Sequence, residues 1–450
     1  MAPLWFESAL LPGGWAKSVR VTLEGGRIGS VDASVSPGPG DERHALAVPG
    51  LCNVHSHAFQ RGMAGLTERR GGDGDDFWTW REVMYTFLSQ LTPDDVEAIS
   101  AQAYVEMLEG GFTRVGEFHY LHHDAAGAAY SDPAEMAGRI ATAATHAGIG
   151  LTLLPVFYAH ADFGGAPPTP GQRRFISATD SFLALVEASA RHLGEDAMLG
   201  VAFHSLRAAS IGEIHTILES GVTGPIHIHV AEQMREVEAC IAHHGARPVE
   251  WLLSNAPVDE RWCLIHATHV TDVETERVAA SGAVAGLCPI TEANLGDGVF
   301  PTARFLALGG RLGVGTDSNV LIDAAEELRG LEYAQRLSTR ARCRLANAQT
   351  PSVGRRLFEA ACLGGAQALG VDGAIVAGAS ADIVTLNGEH PALANRSGDL
   401  ALDSWIFAAR GGAIDSVWRR GSKVVSGGRH RNADAVARRY RTALARILAN

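Results

Sequence analysis

Two periodicities alternate through the middle of this chain. Apolar, strand-like runs recur as "LCNVHSH", "TRVGEFHY", "IGLTLLPVFY", "AMLGVAFHS", "GPIHIHVAE", "RWCLIHATH", "GAVAGLCP" and "GRLGVGTDS". Between most of them lie stretches of helical period, such as "TPDDVEAISAQAYVEMLEGG" and "DPAEMAGRIATAATHAG". Several of these carry Asp, Ser or Thr where a helix is capped and Gly where it ends. Strands alternating with helices over roughly 320 residues predict an α/β fold, a (β/α)8 TIM barrel. A doubly wound open sheet is the alternative. Against it, no GxGxxG follows the first strand, and polar residues close many strands rather than one switch point.

The two ends of the chain read differently. "KSVRVTLEGGRIGSVDA" alternates apolar and polar positions across a Gly-Gly turn, and "ADIVTLNG" and "IDSVWRRGSKVVSGGRH" resemble it near the C-terminus. The simplest organisation is a small β-sandwich domain built from residues 1–48 and 373–430, a barrel over 49–372, and a C-terminal helix over 431–450. No internal repeat or low-complexity segment stands out. Two Gly/Pro-rich loops do: 160–175 after strand three, and "RRGGDGDDFWTWR" (69–81) after strand one, a candidate lid.

Charge and composition narrow the function. The net charge of -12 argues against a nucleic-acid or anionic-membrane binder, which needs a basic surface. A local arginine cluster can still take a small acidic substrate. The six cysteines, Cys52, Cys240, Cys263, Cys288, Cys343 and Cys362, form no CxxC pair, and most sit in apolar segments. That pattern predicts buried thiols in a reducing, cytoplasmic setting. "MAPLWFESALLPGG" lacks the basic and apolar regions of a signal peptide, and no apolar run reaches the ~18–20 residues that span a membrane.

The candidate chemistry sits at the strand ends, where barrel enzymes place it. His55 and His57 close strand one, Glu117, His119 and Tyr120 strand two, and His204 and Arg207 strand four. His227, His229 and Glu232 close strand five, His266 and His269 strand six, and Asp317 strand eight. A lone strand histidine is usually a packed one. Two HxH patterns and an Asp, each at its own strand end, predict a metal site. Three imidazoles and a carboxylate without thiolates suit a borderline divalent ion such as Zn²⁺, and iron accepts the same set. The best set is His55, His57, one histidine of "HIHVAE" and Asp317. His229 is favoured over His227, because Glu232 then follows on the turn facing substrate. Two-metal barrels of this kind commonly bridge their ions with a carboxylated lysine. The only two lysines here, Lys17 and Lys423, lie near the termini, so one ion is the default, with a bridging Glu or Cys left open. A bound ion lowers the pKa of water toward neutrality, and separate groups must then move protons. Glu232, His266 and Asp317 are the candidates.

"PGLCNVHSH", the H-x-x-E strand, the strand-six histidine and "GTDS" resemble the amidohydrolase superfamily over essentially the whole chain. Longer blocks, "NVHSHAFQRGMAG", "FWTWREVMY", "EFHYLHHD", "FHSLRA", "HIHVAEQ", "WCLIHATH" and "TEANLGDG", resemble its formimidoylglutamate deiminases. The resemblance implies hydrolysis of N-formimidoyl-L-glutamate to N-formyl-L-glutamate and ammonia, in histidine catabolism, by a homodimer holding one zinc per subunit. It implies zinc ligands at His55, His57, His229 and Asp317, proton handling by Glu232 and His266, and substrate contacts at Gln60, Arg81, Tyr120, His204 and Arg207. The contribution of Asn319, after "GTDS", stays open. The chemistry of the residues agrees: a substrate with two carboxylates calls for planar, bidentate guanidinium donors. Phe77, Trp78 and Trp80 close the loop over substrate or pack in the core. The competing readings are a deaminase or chlorohydrolase acting on a purine, pyrimidine or triazine ring, and a non-catalytic binding barrel.

Overall fold

The computed structural model describes residues 2–71 and 75–449. All eight expected strands form: β1 (Leu51–Ser56), β2 (Phe112–His119), β3 (Gly150–Phe157), β4 (Val201–Phe203), β5 (Ile226–Val230), β6 (Trp262–His266), β7 (Val284–Leu287) and β8 (Arg311–Val314). Each pairs in parallel with the next, and β8 returns to β1 with Val314 opposite Asn53, so the sheet closes. Every residue of β2 and β3 is buried, as strands covered by helices outside and side chains inside must be. The helices begin and end where local chemistry dictates. Thr92 and Asp95 form a capping box under Pro93–Glu109, and Gly148 ends Glu135–Ala147 at φ 76°.

Strands from both termini join in one eight-stranded sheet. The join is Glu42–Pro49, which pairs in parallel with Leu4–Leu11 and antiparallel with Ile383–Leu386. A separate apolar core under it takes Leu4, Phe6, Val19 and Val21 from one end and Ile375, Ile383 and Trp418 from the other. The predicted Gly-Gly hairpin is present, with Gly25 and Gly26 at φ 57° and 82°, the left-handed pair such a turn needs. Gly50 links this sheet to β1, and a Cβ there would lie 2.2 Å from Thr113 Cγ2.

Two readings need adjustment. The β-rich stretch 373–430 also contains a helix, Asp399–Ala408. Its buried Ala401, Leu402, Trp405 and Ile406 recur at helical spacing. The segment 69–81 is not all loop: Phe77 opens a helix, Phe77–Leu88, capped by Asp76 with Thr79 completing the box. Residues 72–74 of that candidate lid lie outside the described residues. The C-terminal helix, Ala433–Ile447, packs on Pro93–Glu109, and Arg439 donates to Glu97 at 2.7 Å.

At the opposite face from the strand ends, charge ties the sheet to the barrel. Arg419 donates to Asp382 at 3.0 Å and to the Thr113 carbonyl at 3.1 Å, and it pairs with Asp196, which also holds Arg114 at 3.0 Å.

Candidate active site

The C-terminal ends of β5, β6 and β8 turn sharply. Ala231, His266, Ala267, Asp317 and Asn319 all have left-handed backbones, with φ between 45° and 65°. Non-glycine residues adopt this region at a cost, and clusters of them mark built sites. The turns bring His55, His57, His229 and Asp317 together. His55 Nε2 and His57 Nε2 each lie 3.3 Å from Asp317 Oδ1, and His229 Nε2 lies 3.0 Å from His55 Nε2.

The tautomers follow from the outer hydrogen bonds. His57 Nδ1 faces the Phe118 carbonyl and His229 Nδ1 the His204 carbonyl, both at 2.9 Å. A carbonyl only accepts, so each Nδ1 carries the proton and each Nε2 keeps its lone pair. Two candidate ligand sets share His55: one with His57 and Asp317, the other with His229 and His266. The spacings of His55 and His57 to Asp317 and of His229 to His55, 3.0–3.3 Å, are those of neighbouring ligands on one small ion held at about 2.1 Å by nitrogen and oxygen. His227, the other histidine of that strand, turns away and donates from Nε2 to the Ala368 carbonyl at 2.8 Å. The donor set therefore fits a divalent metal ion. Asp317 is held well below the usual carboxylate range: burial alone would raise it, and His55, His57 and His266 outweigh burial.

Asn319, whose role the sequence leaves open, belongs to a brace behind these ligands. Asn53 Nδ2 donates to Thr316 Oγ1 at 2.7 Å, and Thr316 Oγ1 donates to Asn319 Oδ1 at 2.6 Å. Asn319 Nδ2 then reaches the carbonyls of Asp317 and His57 at 2.9 and 3.1 Å. Asn319 thus locks the β1 turn to the β8 turn.

Glu232 and His266 face the same centre from the other side. His266 Nε2 lies 3.7 Å from Glu232 Oε1 and 3.8 Å from Asp317 Oδ2, while its Nδ1 meets Glu292 Oε1 at 3.2 Å. Burial would lower His266, but the carboxylates of Glu232, Glu292 and Asp317 overcome it and raise it to about 10. Burial raises Glu232 to about 7, against the pull of His266. Glu292 was not singled out from the sequence. Its only signal is a place in the "TEANLGDG" block.

One pocket joins this cluster to the remaining predicted residues. Gln60, Arg81, Tyr120, His204 and Arg207 line it, with Met84, Tyr85, Tyr158 and Phe175 as walls the sequence reading did not name. Gln60 Nε2 donates to the Tyr120 hydroxyl at 2.8 Å, and its buried Oε1 has no partner among the described residues. Arg207 is 7% exposed, on a turn after β4 whose Ala208 carbonyl accepts from the Ala159 amide at the end of β3. Neither Arg81 nor Arg207 has a carboxylate within 4.0 Å among the described residues, and the Nε of each is buried without a partner. Unpaired guanidiniums are costly to bury, so they are normally kept for a ligand. Glu117 and His119, which also close β2, do not line the pocket, and Glu117 accepts from the Ala58 amide at 2.7 Å.

The comparisons with known proteins fit this geometry. Residues 46–424 match the amidohydrolase family, and residues 2–45 match "Formimidoylglutamate deiminase HutF, N-terminal domain". Formimidoylglutamate deiminase of Pseudomonas aeruginosa is 49% identical over 452 residues, all of both chains. The crystal structure of an amidohydrolase from Brucella melitensis is 53% identical, covers all of both chains and superimposes with a TM-score of 0.96. An adenosine deaminase from Xanthomonas campestris, solved with bound zinc, shares the fold at 21% identity and a TM-score of 0.81. The chain belongs to the amidohydrolase family, and it carries the N-terminal domain of the formimidoylglutamate deiminases.

Proposed function

We propose that this chain hydrolyses N-formimidoyl-L-glutamate to N-formyl-L-glutamate and ammonia, using one divalent ion, zinc, held by His55, His57, His229 and Asp317. The observation that carries the substrate is the pair Arg81 and Arg207, two guanidiniums in the pocket of the histidine cluster that make no ion pair among the described residues. The relative from Pseudomonas aeruginosa, 49% identical and named for this reaction, supports the same reading. A ring deaminase would gain little from two pocket cations that make no ion pair among the described residues. Five of the six free thiols are buried, which suits a reducing cytoplasm, and no helix of the described residues is long and apolar enough to cross a membrane. We take the working form to be a homodimer with the small sheet domain over 1–48 and 373–430.

When bound, the ion supplies a water activated for attack at neutral pH and polarises the carbon it attacks. The chain's own residues do the rest. Arg207 and Arg81 take the carboxylates and fix the direction of the substrate. Tyr120 and His204 offer neutral hydrogen bonds along its length. Gln60, whose Oε1 has no protein partner, orients the imine end. Asp317 takes the water's proton, and His266, kept protonated by the carboxylates around it, donates a hydrogen bond that steadies the attacking oxygen. Glu232, held near neutrality by burial, passes a proton to the departing nitrogen, so ammonia leaves as a neutral group.

An ammonia-release assay on formimidoylglutamate, guanine, cytosine and adenosine tests the reading. Turnover of formimidoylglutamate alone is expected. Turnover of a ring compound without formimidoylglutamate would overturn it, and less than about half an equivalent of divalent ion in the purified protein would point to a non-catalytic barrel.

A further inference from the structure

Both pocket arginines lean on one indole. Arg81 Cζ lies 4.3 Å from the centre of the Trp78 ring, and Arg207 Cζ lies 5.6 Å from it. A third guanidinium joins them: Arg235 Cζ is 4.3 Å from the same ring. Arg235 is exposed on the helix Met234–His244, three residues beyond Glu232. Among the described residues, none of these three arginines makes an ion pair. The contrast with the rest of the chain is plain. Arg61 pairs with Glu106 at 2.7 Å, Arg139 with Glu135 at 2.9 Å and Arg336 with Glu332 at 2.7 Å. Three like charges gathered at one ring repel each other, and the electron-rich indole face offsets only part of that. The buried carboxylates of Glu236 and Glu232 act on Arg207 without reaching ion-pair distance, so the three guanidiniums are offset only in part and positive charge is left for an anionic ligand.

We propose that Trp78 is the positioning residue of the carboxylate site, holding Arg81 and Arg207 by its ring face, and that Arg235 is a third cation at the mouth that selects dicarboxylates over monocarboxylates. This rests on the reading of the substrate as a dicarboxylate. Trp78 acts through the arginines, since it does not line the pocket itself. A neutral ring can place a guanidinium without cancelling its charge, which a glutamate cannot. Arg235 keeps its charge in solvent, so its pull on a dianion is strong at low salt and screened at high salt.

The metal-loaded enzyme and the variants Arg235→Gln, Trp78→Leu and Trp78→Phe test this. Each is titrated calorimetrically with glutarate and with butyrate at two ionic strengths, and assayed for ammonia release from formimidoylglutamate. Arg235→Gln is expected to weaken glutarate about 5–10-fold at low salt, to flatten its salt dependence and to leave butyrate within about twofold. Trp78→Leu is expected to weaken glutarate by about tenfold or more, raising KM more than it lowers kcat, and Trp78→Phe to recover most of that loss. Equal effects of Arg235→Gln on glutarate and butyrate, or none on either, would remove Arg235 from the site. A Trp78→Phe enzyme as impaired as Trp78→Leu would show that the ring face is not what matters. If Trp78→Leu fails to fold, the Phe variant and Arg235→Gln still decide. Wild-type enzyme that prefers glutarate as expected but releases no ammonia from formimidoylglutamate would overturn the proposed substrate and leave the cation site standing. Ammonia release with no preference for glutarate would do the reverse.

Discussion

Glu232 and Arg207 divide the labour of one pocket, and their variants are expected to fail differently. On the proposed reading Glu232 serves the reacting end, where it lies 3.7 Å from His266. Glu232→Gln keeps the shape and removes the proton carrier. Steady-state kinetics should show kcat reduced about 10³-fold with KM near that of the wild type. On the same reading Arg207 serves the far end; it is buried, and its Nε has no hydrogen-bond partner among the described residues. Arg207→Met should lower kcat/KM by about 10²–10³-fold, the cost of removing one member of a buried charged contact. An unchanged kcat/KM would take Arg207 out of the carboxylate site.

The strand ends of β1 and β8 act as a unit. Their ligands come from turns that the Asn53–Thr316–Asn319 chain of hydrogen bonds ties together. Thr316→Val is nearly isosteric and leaves both asparagines without their hydroxyl partner. It should weaken metal binding about tenfold in a chelator competition, with little change in the circular dichroism spectrum. None of this was legible in the chain as read. The HxH motif and the "GTDS" turn announce ligands, but a brace of two amides and a hydroxyl carries no spacing of its own. The helix Phe77–Leu88 was hidden for a related reason. Its start follows a Gly/Asp-rich stretch that reads as loop, although Asp76 and Thr79 spell a capping box.

The barrel as a whole buries more histidines than its site uses. Burial pushes His122 and His227 down to about 4, despite hydrogen bonds to the carbonyls of Val156 and Ala368. In the unfolded chain both titrate near 6.5, so the unfolded state takes up protons first on acidification. Their contribution to stability is complete above pH 6.5 and is lost as the pH falls toward 4, up to about 3 kcal/mol for each group. The melting temperature should therefore drop between pH 7.5 and 5. In His122→Gln the drop should be shallower. A midpoint that stays level across this range would contradict the assignment.

Periodicity and short motifs were enough to predict the barrel, its eight strands, and the polar residues that close them. They sufficed because each is a local property: alternation, helical spacing and capping act over a few residues, and a strand end follows from where its apolar run stops. Distance between strand ends is not local. His55 and His229 are far apart in the chain yet 3.0 Å apart at Nε2, and only closure of the sheet through β8 and β1 brings them together. The same closure turns His229 inward and His227 toward Ala368, two residues on one strand that the chain alone could rank but not separate. The tertiary structure also sets Arg81, Arg207 and Arg235 around the Trp78 ring. Charges dispersed along 155 residues gain a common purpose only where packing gathers them at one ring beside the pocket.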